Sequence, residues 1–108
     1  MNARRIGLVL LLISVVAVGV AFAQSVIGTY EGYATLEGVT GRMTFRFNTD
    51  STFVYTISAA MHSSQVQTGT YRVSGNRLSL LWSSGDITYF TIRGNTIISP
   101  VGITFTKI

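Results

Sequence analysis

Apolar and polar residues alternate along most of the chain after residue 24, which is the period of a half-buried β-strand. In the run 42–47, for example, apolar residues occupy every second position, and arginine or threonine occupies the others. Gly, Asn, Asp and Ser recur between such runs at short intervals, a spacing that is typical of a sandwich or barrel. No stretch after residue 24 has the i, i+3, i+4, i+7 spacing of an amphipathic helix.

The alternating runs predict eight strands, at 26–36, 42–47, 52–58, 65–73, 77–82, 87–92, 96–99 and 103–107. The connections between them are short, so consecutive strands should be antiparallel neighbours. Pro100 lies between the last two runs and interrupts no strand. The predicted fold class is all-β, an up-and-down meander of about eight strands that closes into a small barrel, because closure removes exposed strand edges.

The N-terminus follows a different pattern. Arg4 and Arg5 precede an apolar run at 6–22, and Ala21-Phe22-Ala23 ends it with small residues in the A-x-A arrangement. These features predict a helical secretory signal peptide at 1–23, cleaved between Ala23 and Gln24, and one barrel domain at 24–108. A retained membrane anchor is the alternative, since a run of about 17 residues is at the short limit for spanning a bilayer.

The amino-acid composition excludes some classes of function and bears on the compartment in which the protein resides. The chain has no cysteine, which excludes disulfides and a lipid-modified cysteine after the signal. The net charge is +4, but two of the eight basic residues belong to the signal peptide and the other arginines are scattered, so nucleic-acid binding is not expected. We expect a periplasmic or extracellular protein with no membrane span after cleavage.

Residues that carry catalysis or bind metals are scarce. The only carboxylates are Glu31, Glu37, Asp50 and Asp86, and the two glutamates lie about 20 Å apart if they share one strand. His62 is the only histidine, whereas zinc sites need three or four ligands. The chain lacks a Gly-x-Ser-x-Gly elbow. We therefore predict no catalytic residue, no metal and no cofactor, and expect that the chain is not an enzyme.

Aromatic residues supply most of the large apolar surface, and they allow two interpretations. They can fill the core, or they can line a pocket for a small apolar ligand. The alternation places one set of side chains in the barrel interior, where we predict contacts with a ligand. This set consists of Tyr30, Phe45, Phe47, Phe53, Tyr55, Gln67, Tyr71, Trp82 and Tyr89. The strand at 87–92 is apolar on both faces, and Phe90 and Ile92 are the candidates for an exposed contact face.

Three stretches carry a family resemblance: Gly28-Thr29-Tyr30, the hairpin at 44–53 and the hairpin at 69–78. They resemble small exported bacterial lipocalin-like domains of the META type, which often begin with Gly-x-Trp and contain Phe-x-x-Asp-Gly-x-Phe and Gly-x-Tyr-x-Val-x-Gly-Asn-x-Leu hairpins. Tyr30 replaces the tryptophan and Ser51 replaces the glycine. A thinner resemblance, through 68–71, is to avidin-like barrels, but a single tryptophan, Trp82, argues against a biotin-type site.

The resemblance implies an exported lipocalin-like barrel that binds a small hydrophobic or amphipathic ligand. The alternative is a filled barrel that acts as a structural or interaction module of the cell envelope. The partners to consider are a small apolar molecule, a second copy of the chain or another envelope protein. The volume left inside the barrel distinguishes these hypotheses, because a barrel packed solid by its aromatic side chains cannot carry a ligand.

Overall fold

A computed structural model describes residues 25–108 as a closed barrel of eight antiparallel strands in chain order. The strands are β1 (Gly28–Leu36), β2 (Val39–Phe47), β3 (Thr52–Ala59), β4 (Gln65–Ser74), β5 (Arg77–Trp82), β6 (Ile87–Arg93), β7 (Thr96–Ile98) and β8 (Thr104–Lys107). Pairing of β8 with β1 completes the barrel. The predicted all-β meander is confirmed, whereas the predicted signal peptide and its cleavage site at Ala23 and Gln24 lie outside the described residues.

The first turn is shorter than the sequence suggested. The predicted strands at 26–36 and 42–47 leave residues 37–41 for the connection, but β2 already begins at Val39, and only Glu37 and Gly38 connect it to β1. Both residues have positive φ, 54° and 80°, which is the backbone of a two-residue type I′ hairpin. Gly41 pairs with both neighbouring strands within β2, so this glycine is a strand residue. Between residues 25 and 108, no helix is long and apolar enough to cross a membrane.

The inner face of the barrel is filled mainly by aromatic and branched side chains. Phe45 lies at its centre, with ring centroids 4.6 Å from Tyr55, 5.0 Å from Phe105 and 5.4 Å from Phe90. Leu78, Leu80 and Ile97 are completely buried around it. Because successive strand residues point to opposite faces, the threonines and arginines between these positions face outward.

One end of the barrel, which we call the closed end, carries the β2–β3, β4–β5 and β6–β7 turns. Phe47 is buried there between two tyrosines, with Tyr30 and Tyr71 packed edge-on at centroid distances of 5.6 and 5.1 Å. These tyrosines end the two Gly-Thr-Tyr sequences of the chain. The Tyr71 hydroxyl donates a 2.6 Å hydrogen bond to the carbonyl of Asn48, so this end is held by packing and by hydrogen bonding together.

The strands differ in length, and the difference shapes the opposite end, which we call the open end. Strands β1–β4 have 9, 9, 8 and 10 residues, whereas β5–β8 have 6, 7, 3 and 4. The β1–β8 pairing stops at Glu31 and Thr106, and the β4–β5 pairing stops at Gly69 and Trp82. The parts of β1–β4 at 33–42 and 57–67 therefore continue beyond the closed barrel, and we call them the sheet extension.

Candidate ligand-binding site

A cavity of about 280 Å³ opens at the rim of the open end. Five strands and one loop line it, through Met43, Phe45, Tyr55, Trp82, Thr88, Phe90, Ser99, Pro100, Val101, Ile103 and Phe105. Nearly all of the surface that these residues present is carbon, and none of the lining side chains carries a charge. The site is therefore suited to an apolar molecule, because an ionised group would lose its hydration there without gaining a partner.

The strand register brings the lining aromatics together. Phe45 and Tyr55 are direct cross-strand partners on β2 and β3, and their rings lie 4.6 Å apart. The Tyr55 ring in turn meets the Trp82 ring edge-on at 5.5 Å. Cross-strand aromatic pairs hold each other in place, so this wall of the cavity is formed before any ligand enters.

Trp82 ends β5, and a side-chain hydrogen bond fixes its orientation. The indole Nε1–H donates to Oγ1 of Thr88 on β6 at 2.9 Å. This bond satisfies the only polar group of the indole and leaves its ring face for apolar contact. Thr88 still has its own hydroxyl hydrogen, and Tyr55 and Ser99 carry the other hydroxyl groups of the lining.

The loop between β7 and β8 forms the remaining edge of the cavity and carries its own hydrogen bonds. The Ser99 amide donates to the Ile103 carbonyl at 2.9 Å, and the Gly102 amide donates to the Ser99 carbonyl at 3.0 Å. The Ile103 amide donates to Ser99 Oγ at 3.0 Å. These three bonds fix the loop and hold Pro100 and Val101 at the rim as an apolar edge.

Burial also controls the ionisation of Tyr55. Removal of its phenol from water disfavours the phenolate and raises the pKa of Tyr55 above its ordinary value. The Tyr55 side chain is thus neutral at physiological pH. Together with the uncharged lining residues, this leaves the described cavity wall without a charged group.

Seven of the nine residues predicted for the interior face it, and they divide between two places. Phe45, Tyr55 and Trp82 line the cavity. Tyr30, Phe47, Phe53 and Tyr71 face the interior but do not line it; the first three are at most 2% exposed. The aromatic set predicted from the alternation is therefore split between a packed core and a cavity wall.

The interior position predicted for Tyr89 is wrong. Tyr89 pairs with Ser79 across β5 and β6, points outward and is 48% exposed. The guanidinium of Arg77 lies 3.9 Å from the centre of its ring on the outer surface. The suggestion that Phe90 and Ile92 form an exposed face is wrong for the same reason, since both are buried in the core. The outward face of β6 carries Ile87 and Tyr89 instead.

Gln67 is a second residue whose surroundings differ from the expectation. It lies opposite Tyr55 in the β3–β4 register, so it is on the same face of the sheet as the cavity wall. However, Gln67 belongs to the sheet extension beyond the barrel rim, and it is exposed. Its amide is in water rather than inside the barrel.

Several lining residues escaped prediction as site residues, chiefly Met43, Thr88, Phe90 and Phe105. On β6 a signal was present in the sequence, because the face that carries Ile87 and Tyr89 continues into Thr91 and Arg93. An arginine at the end of that face favours the outward direction for all four residues. Thr88 and Phe90 then face inward, as the structure has them.

A larger concavity, of about 720 Å³, lies against the outer wall of the barrel over β4–β6 and the β2–β3 turn. Its lining includes Arg72, Leu81, Ile87 and Tyr89. The smaller cavity is the better candidate for a ligand site, because inward-facing aromatics bound it, whereas mostly outward-facing side chains line the larger concavity.

Two of the four carboxylates, Glu31 and Asp50, have partners away from the cavity. Glu31 accepts a hydrogen bond from the Tyr33 hydroxyl and lies 3.7 Å from Nε of Arg42, and the bond to Glu31 raises the pKa of Tyr33. Asp50 accepts bonds from Thr52 in the β2–β3 turn. Within residues 25–108, no group of three or more His, Cys, Asp or Glu side chains is placed to hold a metal ion.

Comparison with known proteins supports the barrel and little beyond it. No family model matches the chain, and no curated protein matches it. The crystal structure of the Cpx pathway activator NlpE from Escherichia coli is similar, with a TM-score of 0.60 and 19% sequence identity over 75% of this chain and 45% of that one. This chain therefore spans less than half of that structure. At this identity the likeness shows a shared fold, and the narrower META assignment has no support from it.

Proposed function

We propose that the chain is an exported, non-enzymatic lipocalin-like barrel that binds a small apolar or amphipathic molecule at its open end. The observation that carries the proposal is the nearly all-carbon cavity walled by Phe45, Tyr55, Trp82 and Phe90. The hydrogen bond between Trp82 and Thr88 and the tilted packing of the Tyr55 ring against the Phe45 ring hold this wall in place. A pre-formed wall lowers the entropy that binding must overcome. Export rests on the signal-peptide pattern at 1–23.

The volume of the cavity limits the size of the ligand. Drug-sized ligands occupy pockets of roughly 300–1,000 Å³, and an apolar cavity of about 150 Å³ is known to hold benzene. At about 280 Å³, the cavity fits one or two fused rings or a short alkyl chain.

Intrinsic fluorescence tests this proposal directly, because Trp82 is the only tryptophan of the chain and it lies in the cavity wall. We expect 1-naphthol, added to the exported protein, to change Trp82 emission with a saturable dependence on concentration. Ile103→Phe extends an aromatic ring into the cavity and should weaken the affinity at least tenfold.

Ile87→Phe is the matched control, because it makes the same change on the outward face of β6 and should leave the affinity unchanged. Equal affinity of Ile103→Phe and the wild type would exclude the cavity as the binding site. A wild-type titration that never saturates would exclude ligand binding of this kind altogether.

A second candidate function is protein binding through the outer wall. The observation that favours it is an exposed apolar row at neighbouring register positions on β5 and β6, namely Leu81, Ile87 and Tyr89, which are 46%, 57% and 48% exposed. Such a row can pack against another envelope protein or a second copy of the chain. Native mass spectrometry of the exported protein separates the two candidates, since it detects a retained small molecule and a retained protein as different masses.

A further inference from the structure

A second apolar concavity, of about 450 Å³, lies on the inner face of the sheet extension. We call it the trough. Its floor is a row of small residues that are direct neighbours across β1, β2 and β3, namely Ala34, Gly41 and Ala59. Larger apolar side chains border this row on both sides, including Leu36, Val39 and Ile57. The short side chains of the row account for the depth of the trough.

The trough has no strand opposite it within residues 25–108. Strands β5–β8 are too short to reach this level, since their pairing with the long strands stops at Trp82 on one side and at Thr106 on the other. The apolar inner face of the extension is therefore in water, and Leu36 is 78% exposed. Exposed apolar surface of this kind is stabilised when a ligand covers it.

The trough and the barrel cavity are neighbours along the same inner face. Met43 contributes to the wall of both, and its flexible thioether side chain can shift to adapt to a chain that passes it. The outer end of the trough is different in character, because Glu37 and His62 line it there. A molecule that ran from the cavity along the trough would thus go from an uncharged interior to a polar rim.

We propose that cavity and trough are two compartments of one site for an elongated amphiphile, a single unbranched alkyl chain whose polar end reaches water beside Glu37 and His62. This inference rests on the proposed function and adds the shape of the ligand. A peptide fits the trough poorly, because the trough is the face of a sheet whose backbone groups are already paired across β1–β3. A peptide backbone would lose its hydrogen bonds to water there without replacement, whereas a hydrocarbon chain makes no such bonds and gains from leaving water.

The 1-alkanols from pentanol to dodecanol provide a graded test, with Trp82 emission of the exported protein as the readout. Each methylene group that becomes buried should strengthen binding roughly threefold to fourfold. A ligand confined to the barrel cavity would stop gaining affinity after the shorter chains. A ligand that continues into the trough should gain affinity steadily up to the longest chains.

Gly41→Leu should fill the trough and leave the barrel cavity intact. A Cβ at Gly41 would lie 3.7 Å from the Ser58 carbonyl and 3.9 Å from the Ala34 carbonyl, which are ordinary contacts, so we expect the variant to fold. Pentanol should bind it as it binds the wild type, and dodecanol should bind at least tenfold more weakly. Thr91→Leu, on the outward face of β6, is the control and should change neither affinity. Ala59→Leu, at the neighbouring floor position, should repeat the effect of Gly41→Leu.

The outcomes separate the two proposals. If affinity stops rising after the short alkanols and both trough variants behave as the wild type, the elongated ligand is excluded and the cavity remains a site for a small one. If no alkanol of any length and no aromatic probe binds, both proposals fail together.

Discussion

The two ends of the barrel are built from the same kinds of residue but have different environments. At the closed end, Phe47 is buried between Tyr30 and Tyr71. At the open end, Tyr55 and Trp82 also pack edge to face, yet both remain partly exposed beside a cavity. Aromatic content does not account for the difference. Strand length does, because β5–β8 end before β1–β4 at the open end.

The comparison shows how one short chain can combine stability with an open site. The closed end joins both termini of the described chain to the barrel: Val26 is buried, and the Ile108 amide donates to the Thr29 carbonyl at 2.9 Å. Within residues 25–108, nothing corresponding covers the sheet extension at the open end. Stability should therefore depend mainly on closed-end residues and binding on open-end residues.

The largest expected effect is a loss of folding stability, and it should differ between matched substitutions at the two ends. Phe47→Ala removes a ring that is 1% exposed and should lower the free energy of unfolding by about 3–5 kcal/mol. Tyr55→Ala removes a half-buried ring at the open end and should lower it by about 1–2 kcal/mol. Urea denaturation followed by circular dichroism measures both. Equal losses would contradict the division between a stabilising end and a binding end.

Two glycines provide the next test, with a smaller expected effect. A Cβ at Gly69 would lie 2.1 Å from the Leu81 carbonyl oxygen and 2.7 Å from the Phe53 ring, so Gly69→Ala must displace backbone. We expect a loss of about 3 kcal/mol or slightly less. At Gly41 the same change meets only ordinary contacts, and Gly41→Ala should be neutral or slightly stabilising because glycine weakens a strand interior.

The urea midpoints of Gly69→Ala and Gly41→Ala, each compared with the wild type, test these two expectations about stability. A stable Gly69→Ala protein would mean that β4 and β5 can separate without penalty, contrary to the packing of Phe53 over Gly69. A strongly destabilised Gly41→Ala would mean that the floor of the trough is as tightly packed as the barrel, and it would count against the trough as a binding compartment.

The sequence predicted the strands well because their period is visible locally. The alternation at 42–47 and 77–82 fixes which residues share a face, and the short turns between strands fix the neighbours. The alternation within 87–92 alone does not orient a strand that is apolar on both faces. The inward prediction for Tyr89 neglects Arg93, which extends the same face, and in the structure Tyr89 pairs with the outward Ser79. The position of Glu37 and Gly38 as a two-residue turn also depended on backbone angles that the residue types leave open.

The cavity and the trough could not be predicted for a different reason. Both result from a difference between strands that are far apart in the chain, namely the early end of β5 at Trp82 and the continuation of β4 to Gln65. A local pattern predicts the length of one strand, but it does not predict how far along the barrel axis the neighbouring strand extends. Phe45 and Phe47 therefore look alike in the sequence, although only Phe45 lines the cavity.

The smallest expected effect concerns pH and again separates the two ends. In the β2–β3 turn, the amide and the hydroxyl of Thr52 donate to Oδ1 of Asp50 at 3.1 and 2.5 Å, and these bonds hold the pKa of Asp50 below its ordinary value. A depressed pKa means that the ionised carboxylate stabilises the fold. This contribution is complete above the ordinary carboxyl pKa of about 3.9 and is lost as the pH falls toward the lower pKa of the folded state.

Urea midpoints measured from pH 6 to pH 2 should therefore fall less steeply for Asp50→Asn than for the wild type, and identical slopes would contradict the role of the turn. Because the cavity lining contains no carboxylate, 1-naphthol affinity should stay constant over the part of this range in which the protein remains folded.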